Sequence, residues 1–167
     1  EFCRGAADAG MRYGVPLVGG DIAELASDGV CASLAILGEV AENEIVLRRG
    51  AKPGDRLYVT GCIGNSFRSE HHLDFTPRLA EGRFLAAHHF ASAMLDISDG
   101  LLLDASRLAT SSQVALTVEP ERIPLRAGAE PATAWSDGED YELLFTVPAD
   151  AAAQLEELWP PEFAPLT

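Results

Sequence analysis

The feature that most constrains the fold is an alternation of short apolar runs and longer helical segments over the last two thirds of the chain. Runs typical of strands cover 56–60, 93–97, 114–118 and 141–147. Segments typical of helices lie between and after them, at 77–89, 101–110, 131–135 and 149–158. Strands that alternate with helices form a sheet that the helices cover. The sequence therefore predicts an α+β fold, built as α/β layers with a mixed sheet.

A basic stretch rich in glycine and proline, RRGAKPGD at 48–55, is typical of a domain boundary. Before it, the pattern predicts a helix at 2–13 and strands at 15–18 and 30–40. We therefore predict that residues 1–49 form the C-terminal part of one domain and residues 50–167 most of a second, α/β domain. Because the chain opens without Met and inside a predicted helix, we expect a fragment of a longer protein.

The formal net charge of −14 argues against functions that need a positive surface. Such a chain repels nucleic-acid backbones and anionic membranes, so neither is an expected partner. Small phosphate ligands are compatible with this charge, because a divalent cation can bridge a carboxylate and a phosphate. The 3 cysteines form no CxxC pair, which indicates reduced thiols and a cytoplasmic protein.

Three acidic turns stand where predicted strands end or new elements begin, at 20–21, 96–100 and 138–140. Carboxylates in such turns suit Mg²⁺, which takes one or two of them and completes its shell with water and substrate phosphates. The turns therefore suggest metal-assisted phosphate chemistry.

Each of these features also has a purely structural interpretation, and the residues alone leave both open. Ser98 or Asp99 could cap the helix that follows them, although a helix N-terminus also attracts phosphate. The acidic residues at 20–21 and 139–140 could belong to ordinary solvated turns. The basic pair at 48–49 could be a solvated link, or its first arginine could bind a nucleotide phosphate through a bidentate fork.

Several strings occur in one order along nearly the whole chain: VGGD at 18–21, RRGAKPGD at 48–55, VTG at 59–61, PR at 77–78, LDISDGL at 95–101 and GEDYELLFT at 138–146. This order resembles the thiamine-monophosphate kinase family, within the superfamily of aminoimidazole-ribonucleotide synthetase and selenophosphate synthetase. The LDISDGL and GEDYELLFT strings are specific to that family, whereas GGD is shared more widely.

The resemblance implies a homodimer of two-domain subunits, in which the N-terminal domains share a β-barrel. ATP and several Mg²⁺ ions then lie in the cleft between the two domains. The implied reaction transfers the γ-phosphoryl group of ATP to thiamine monophosphate and yields thiamine diphosphate. A phosphate oxygen is already ionised near neutral pH, so this reaction needs alignment and charge neutralisation rather than a general base.

The resemblance also implies roles for individual residues. Those implied to contact the nucleotide or its metal ions are Gly20, Asp21, Arg48, Asp96, Ser98 and Asp99. Within this set the three aspartates are the Mg²⁺ ligands, and the arginine stabilises charge on ATP. Glu139 matches a residue at the phosphate of thiamine monophosphate.

The chain departs from the family pattern in two motifs. Ile22 stands where the family has Thr, and Asn65 stands where it has Asp. We also expect that an acidic metal motif precedes residue 1 and that an aromatic residue follows residue 167, so that this chain alone is inactive. The alternatives are another ATP-dependent synthetase of the same superfamily and a non-catalytic nucleotide-binding or dimerisation fragment.

Overall fold

The computed structural model describes residues 2–25 and 28–167, in two compact units, Glu1–Gly38 and Glu39–Thr167. The predicted domains, divided after Arg49, stay a prediction. The longest helices have 12 residues, and within the described ranges none is long and apolar enough to cross a membrane.

The first unit contains helix α1, Phe2–Tyr13, as the sequence predicts. The strands predicted at 15–18 and 30–40 are wrong, because neither segment is in a strand. Their apolar side chains, such as Val18 and Leu37, are exposed. A run of branched apolar residues forms a strand only where a neighbouring strand completes the hydrogen-bond ladder. The described residues of this unit form no such ladder.

The second unit contains the elements that the alternation predicts, with ends that differ by a few residues. They are β1 (Arg56–Val59), α2 (Leu79–Ala87), β2 (Ala93–Asp96), α3 (Leu101–Ser112), α4 (Pro131–Ala134), β3 (Leu143–Val147) and α5 (Ala149–Leu158). The strand predicted at 114–118 is wrong. Its apolar residues do alternate inward and pack against the core, but no ladder pairs this segment with a strand within the described residues.

The three strands of the described sheet are antiparallel, in the order β1-β3-β2. The predicted α+β class is confirmed. The predicted mixed sheet is wrong for the described strands, because both strand pairs are antiparallel. Parallel pairing occurs instead at an isolated bridge between Ile63 and Leu125. Because β3 runs against β2, the segment that follows β2 and the segment that precedes β3 leave the sheet at the same end.

Side chains that alternate along β3 point into two apolar clusters, one on each face of the sheet. Leu144 belongs to the cluster that includes Leu101 and Leu108 of α3. Phe145 belongs to the opposite cluster, formed with α2, α5 and the stacked ring of Tyr58. Full burial of each such side chain contributes about 1.5–3 kcal/mol. Helices therefore cover both faces and hold the ends of β2 and β3 in place.

Candidate functional site

Two of the acidic turns lie side by side at the shared end of β2 and β3. The amide of Ile97 donates to the Glu142 carbonyl and the amide of Tyr141 donates to the Ile97 carbonyl, both at 2.8 Å. The Glu139 amide donates to the Ser98 carbonyl, also at 2.8 Å. The antiparallel ladder thus continues past the strands and joins residues 96–100 to residues 138–142, which we call the paired turns.

The paired turns need glycine at their closest approach. A Cβ atom on Gly138 would lie 2.9 Å from the Ser98 carbonyl oxygen, too close for any side chain. Gly138 also has φ of +42°, where residues with a Cβ are strained. The glycine in the GED string is therefore a packing requirement of the site.

A cavity of about 500 Å³ opens against the paired turns. Its wall includes Ser98, Asp99 and Glu139, so the structure brings these three sequence-predicted residues together. Segments 65–68 and 128–137 contribute the rest of the lining, including the carboxylates of Glu130 and Asp137. Asp96, the last residue of β2, is exposed but is not among the residues that line this cavity.

The Ser98–Asp99 turn is held by a buried carboxylate that the sequence did not single out. One oxygen of Asp104 accepts the amides of Ser98 at 3.0 Å and Asp99 at 2.9 Å. The N-cap of α3 is Gly100 and makes no side-chain cap, so the interpretation of Ser98 or Asp99 as a cap is wrong. Asp104 lies in the first turn of α3. Acidic residues are favourable there because the backbone amides at a helix N-terminus carry a partial positive charge, so this position of Asp104 was the signal available in the sequence.

Arg107 joins Asp99 to Asp104. Its Nη1 lies 2.8 Å from the second oxygen of Asp104 and also donates to Asp99. Hydrogen bonds to Asp99 and then Asp104 raise the pKa of Arg107. The Asp99 side chain is 53% exposed, so this carboxylate faces solvent although an arginine contacts it.

A second buried carboxylate fixes the other turn. Arg78 donates two hydrogen bonds to the Glu142 carboxylate, from Nε to Oε2 at 2.7 Å and from Nη2 to Oε1 at 2.6 Å. The Thr60 hydroxyl donates to the same carboxylate at 2.6 Å. The bonds to Glu142 raise the pKa of Arg78. The PR and GEDYELLFT strings therefore meet in one network, a role that neither string reveals alone.

Asp140 is fully buried next to Glu139, so the interpretation of this pair as a solvated turn is wrong for Asp140. Its Oδ1 accepts Arg126 Nη1 at 2.7 Å and the Gly64 amide at 2.9 Å. Its Oδ2 has no hydrogen-bond partner among the described residues. Burial therefore raises the pKa of Asp140, although Arg126 opposes the shift.

The remaining predicted residues are Gly20, Asp21 and Arg48. Gly20 and Asp21 belong to the first unit, outside its helix, and both are exposed. Arg48 is exposed, and its carbonyl accepts the hydroxyl of Ser112 at the last residue of α3, at 3.5 Å. The length of α3, roughly 18 Å for its 12 residues, separates that point from the paired turns. The structure therefore does not bring Arg48 to Asp99.

The donor set at the paired turns fits Mg²⁺ in its chemistry. Asp96 and Asp99 are exposed carboxylates on either side of Ser98, and Mg²⁺ takes one or two such ligands plus phosphate oxygens and water. Within residues 2–25 and 28–167, no three acidic, histidine or cysteine residues group as a metal site. The described residues would therefore supply only part of a metal shell.

No family model matches the chain. Two curated thiamine-monophosphate kinases are similar to it in sequence. That of Rhodopirellula baltica is 35% identical over an alignment of 167 positions, which covers 93% of this chain and 51% of the relative. That of Caulobacter vibrioides is 33% identical over an alignment of 182 positions, which covers 90% of this chain and 50% of the relative. The chain spans about half the length of the curated relatives it matches.

Solved structures agree with the sequence comparison. The thiamine-monophosphate kinase of Stenotrophomonas maltophilia superposes with a TM-score of 0.63 at 29% identity, over 77% of this chain and 50% of that one. AaThiL complexed with AMPPCP and TMP gives 0.53 at 31%, over 73% and 46%. Thermotoga maritima PurL complexed with ATP, at 17% identity and a TM-score of 0.57 over 71% and 21%, shares the fold alone. By sequence and by structure, the chain belongs to the thiamine-monophosphate kinase family.

Proposed function

We propose that this protein transfers a phosphoryl group from ATP to thiamine monophosphate, with Mg²⁺. The observation that carries the proposal is the cavity at the paired turns. Ser98, Asp99 and Glu139, which the resemblance assigns to nucleotide, metal and substrate, line that one cavity. The solved structure of a similar chain, AaThiL, contains AMPPCP, a nucleotide analogue, together with TMP.

The residues present suit this reaction. Asp96 and Asp99 would hold Mg²⁺, which when bound neutralises charge on the two polyanionic substrates. Ser98 presents a hydroxyl next to the N-terminus of α3, a favourable place for a phosphate, whereas its backbone amide donates to Asp104. Asp104 and Glu142 contact backbone or buried partners instead of the cavity, and they keep both turns in one geometry. Fixed positions of this kind lower the entropic cost of bringing two substrates together.

Asp21, Gly20 and Arg48 stay proposed contacts to the nucleotide and its metal ions. Homodimer formation, which rests on the family resemblance, and a cytoplasmic location, which rests on the cysteine pattern, likewise stay proposals. The negative charge of the chain, −14, supports small phosphate ligands over nucleic acid as partners.

A second candidate function is nucleotide binding without catalysis. It is favoured by Asn65, which lines the cavity where the family pattern has Asp and so removes one carboxylate from the site. The two functions differ in a simple way. Both require ATP to bind at the paired turns, but only the kinase converts thiamine monophosphate.

The test follows ATP-dependent formation of thiamine diphosphate by ³¹P NMR, in the 167-residue chain and in the longest form of the protein that can be produced. Asp99→Asn should lower turnover of the active form about a hundredfold, as expected for a lost electrostatic contact to the transition state. The matched control is Glu119→Gln, which neutralises another exposed carboxylate near an arginine, Arg122. Turnover of Asp99→Asn equal to that of the control would refute the proposed site, and ATP binding without turnover in every form would favour the second candidate.

A further inference from the structure

We propose that Arg107 is an internal counter-ion, which occupies the Asp99 carboxylate and competes there with a divalent cation. This inference rests on the proposed role of Asp99 as a metal ligand. It concerns a residue that no motif of the sequence singles out, and it assigns Arg107 a positioning role rather than a contact with substrate.

The geometry divides the arginine's two contacts into a fixed one and an exchangeable one. Asp104 is only 1% exposed, and its two oxygens are fully used, one by the Ser98 and Asp99 amides and one by Arg107. Asp99, in contrast, is more than half exposed, and the Arg107 side chain that contacts it is 38% exposed. A ligand that approaches from the cavity can therefore replace Arg107 at Asp99 and leave its bond to Asp104 intact.

The charges explain why such an arginine is useful. The Asp99 and Asp104 carboxylates both contact one guanidinium nitrogen, and without a cation between them two like charges would repel across the same turn. Arg107 supplies that cation when no metal is bound. When a metal binds Asp99, Arg107 stays next to it through Asp104 and opposes the metal's charge.

Removal of the arginine should therefore tighten metal binding. Solvent-exposed ion pairs are weak, so the expected change is about two- to fivefold. The sign matters more than the size, because loss of a structural arginine would weaken binding or leave it unchanged.

The experiment titrates the chain with Mn²⁺ alone at low ionic strength and follows paramagnetic broadening of the Ser98 and Asp99 amide NMR signals. This readout is local to the site and needs no activity. Arg107→Gln should shift the midpoint to a Mn²⁺ concentration about two- to fivefold lower, and Arg107→Lys, which keeps the charge, should stay near the parent chain. Arg122→Gln is the matched control, since it removes one arginine from an exposed pair with Glu119 elsewhere on the surface.

An unchanged or higher midpoint for Arg107→Gln would overturn the inference. Asp99→Asn separates this failure from that of the proposed function. If Asp99→Asn weakens Mn²⁺ binding while Arg107→Gln does not tighten it, the counter-ion role alone is wrong; if Asp99→Asn binds as the parent does, both proposals fall. In the parent chain, the Arg107 guanidinium signal should shift as Mg²⁺ is added, and a constant signal would contradict the inference even if no variant folds.

Discussion

Two arginine–carboxylate pairs flank the paired turns, and they differ in burial and geometry. Arg78 and Glu142 form a bidentate pair whose carboxylate is almost completely buried. Arg107 contacts Asp99 through one nitrogen, at a carboxylate that faces solvent. The comparison shows how one site can combine rigidity with exchange. The buried pair fixes the backbone of one turn, and the exposed pair leaves the carboxylate of the other turn free to change partners.

The largest expected effect is at the buried pair. Arg78→Ala leaves the Glu142 carboxylate buried without its cation, which should lower the free energy of unfolding by about 3–5 kcal/mol. Urea unfolding of the variant and its parent measures this difference. Arg78→Lys should lose less, since it keeps the charge but not the planar fork. A loss below about 1 kcal/mol for Arg78→Ala is what an ordinary surface pair gives, and it would show that the Arg78–Glu142 pair does not differ from the exposed Arg107–Asp99 pair in stability.

The next effect is at Asp104, the buried carboxylate behind the exposed pair. Asp104→Ala removes the acceptor of the Ser98 and Asp99 amides, and we expect a loss of about 1.5–3 kcal/mol, typical of hydrogen bonds to a charged group. Hydrogen exchange of those two amides should become faster, whereas Asp104→Asn, which keeps an acceptor, should protect them partly. Exchange rates that do not change in Asp104→Ala would show that α3 alone holds the turn.

Asp140 should show the pH dependence of a buried carboxyl that lacks one partner. Its pKa is raised in the folded chain, so the folded state binds the proton more tightly than the unfolded state does. The stability from neutral Asp140 is therefore complete below about pH 3.8 and is lost as the pH rises through the raised pKa. The unfolding free energy of the parent minus that of Asp140→Asn, measured as a function of pH, should fall as the pH rises over that window. A difference that rises with pH would mean that Arg126 outweighs burial.

The smallest effect is expected at the exposed pair. Arg107→Gln should lower the free energy of unfolding less than Arg78→Ala does, because solvent screens the contact of Arg107 with Asp99, although one oxygen of the buried Asp104 also loses its arginine. Thermal unfolding at low and high salt measures both the change and its screening. A loss as large as that of Arg78→Ala would show that the two pairs do the same structural work.

Much of the second unit could be predicted from its sequence, because local pattern and local structure agree there. The apolar runs at β1, β2 and β3 and the helical segments between them are found where expected. The failures at 15–18, 30–40 and 114–118 have one cause. A branched apolar run specifies an extended chain with alternating faces, but its partner strand is a property of the tertiary structure.

The candidate site was predictable to a similar extent. The motifs identified Ser98, Asp99 and Glu139, and their shared cavity follows from the pairing of β2 with β3. The supporting roles of Asp104, Asp140 and Glu142 were missed, because only burial distinguishes these carboxylates from the many acidic residues on the surface. The partner of Glu142 also lies far away in the chain, at Arg78, and no local spacing connects the two.

The position of β3 bears on the order in which this unit can fold. It is the central strand of the sheet and the last of the described strands along the chain, and β1 and β2 each pair with it. Register partners such as Arg56 and Val147 are therefore distant in sequence. Non-local pairing of this kind slows folding, because the chain loses the entropy of closing a long loop before the strand contacts stabilise it. During synthesis, β1 and β2 would emerge first and wait as exposed strand edges until residues 143–147 arrive, which is the interval when the chain is most exposed to wrong pairing.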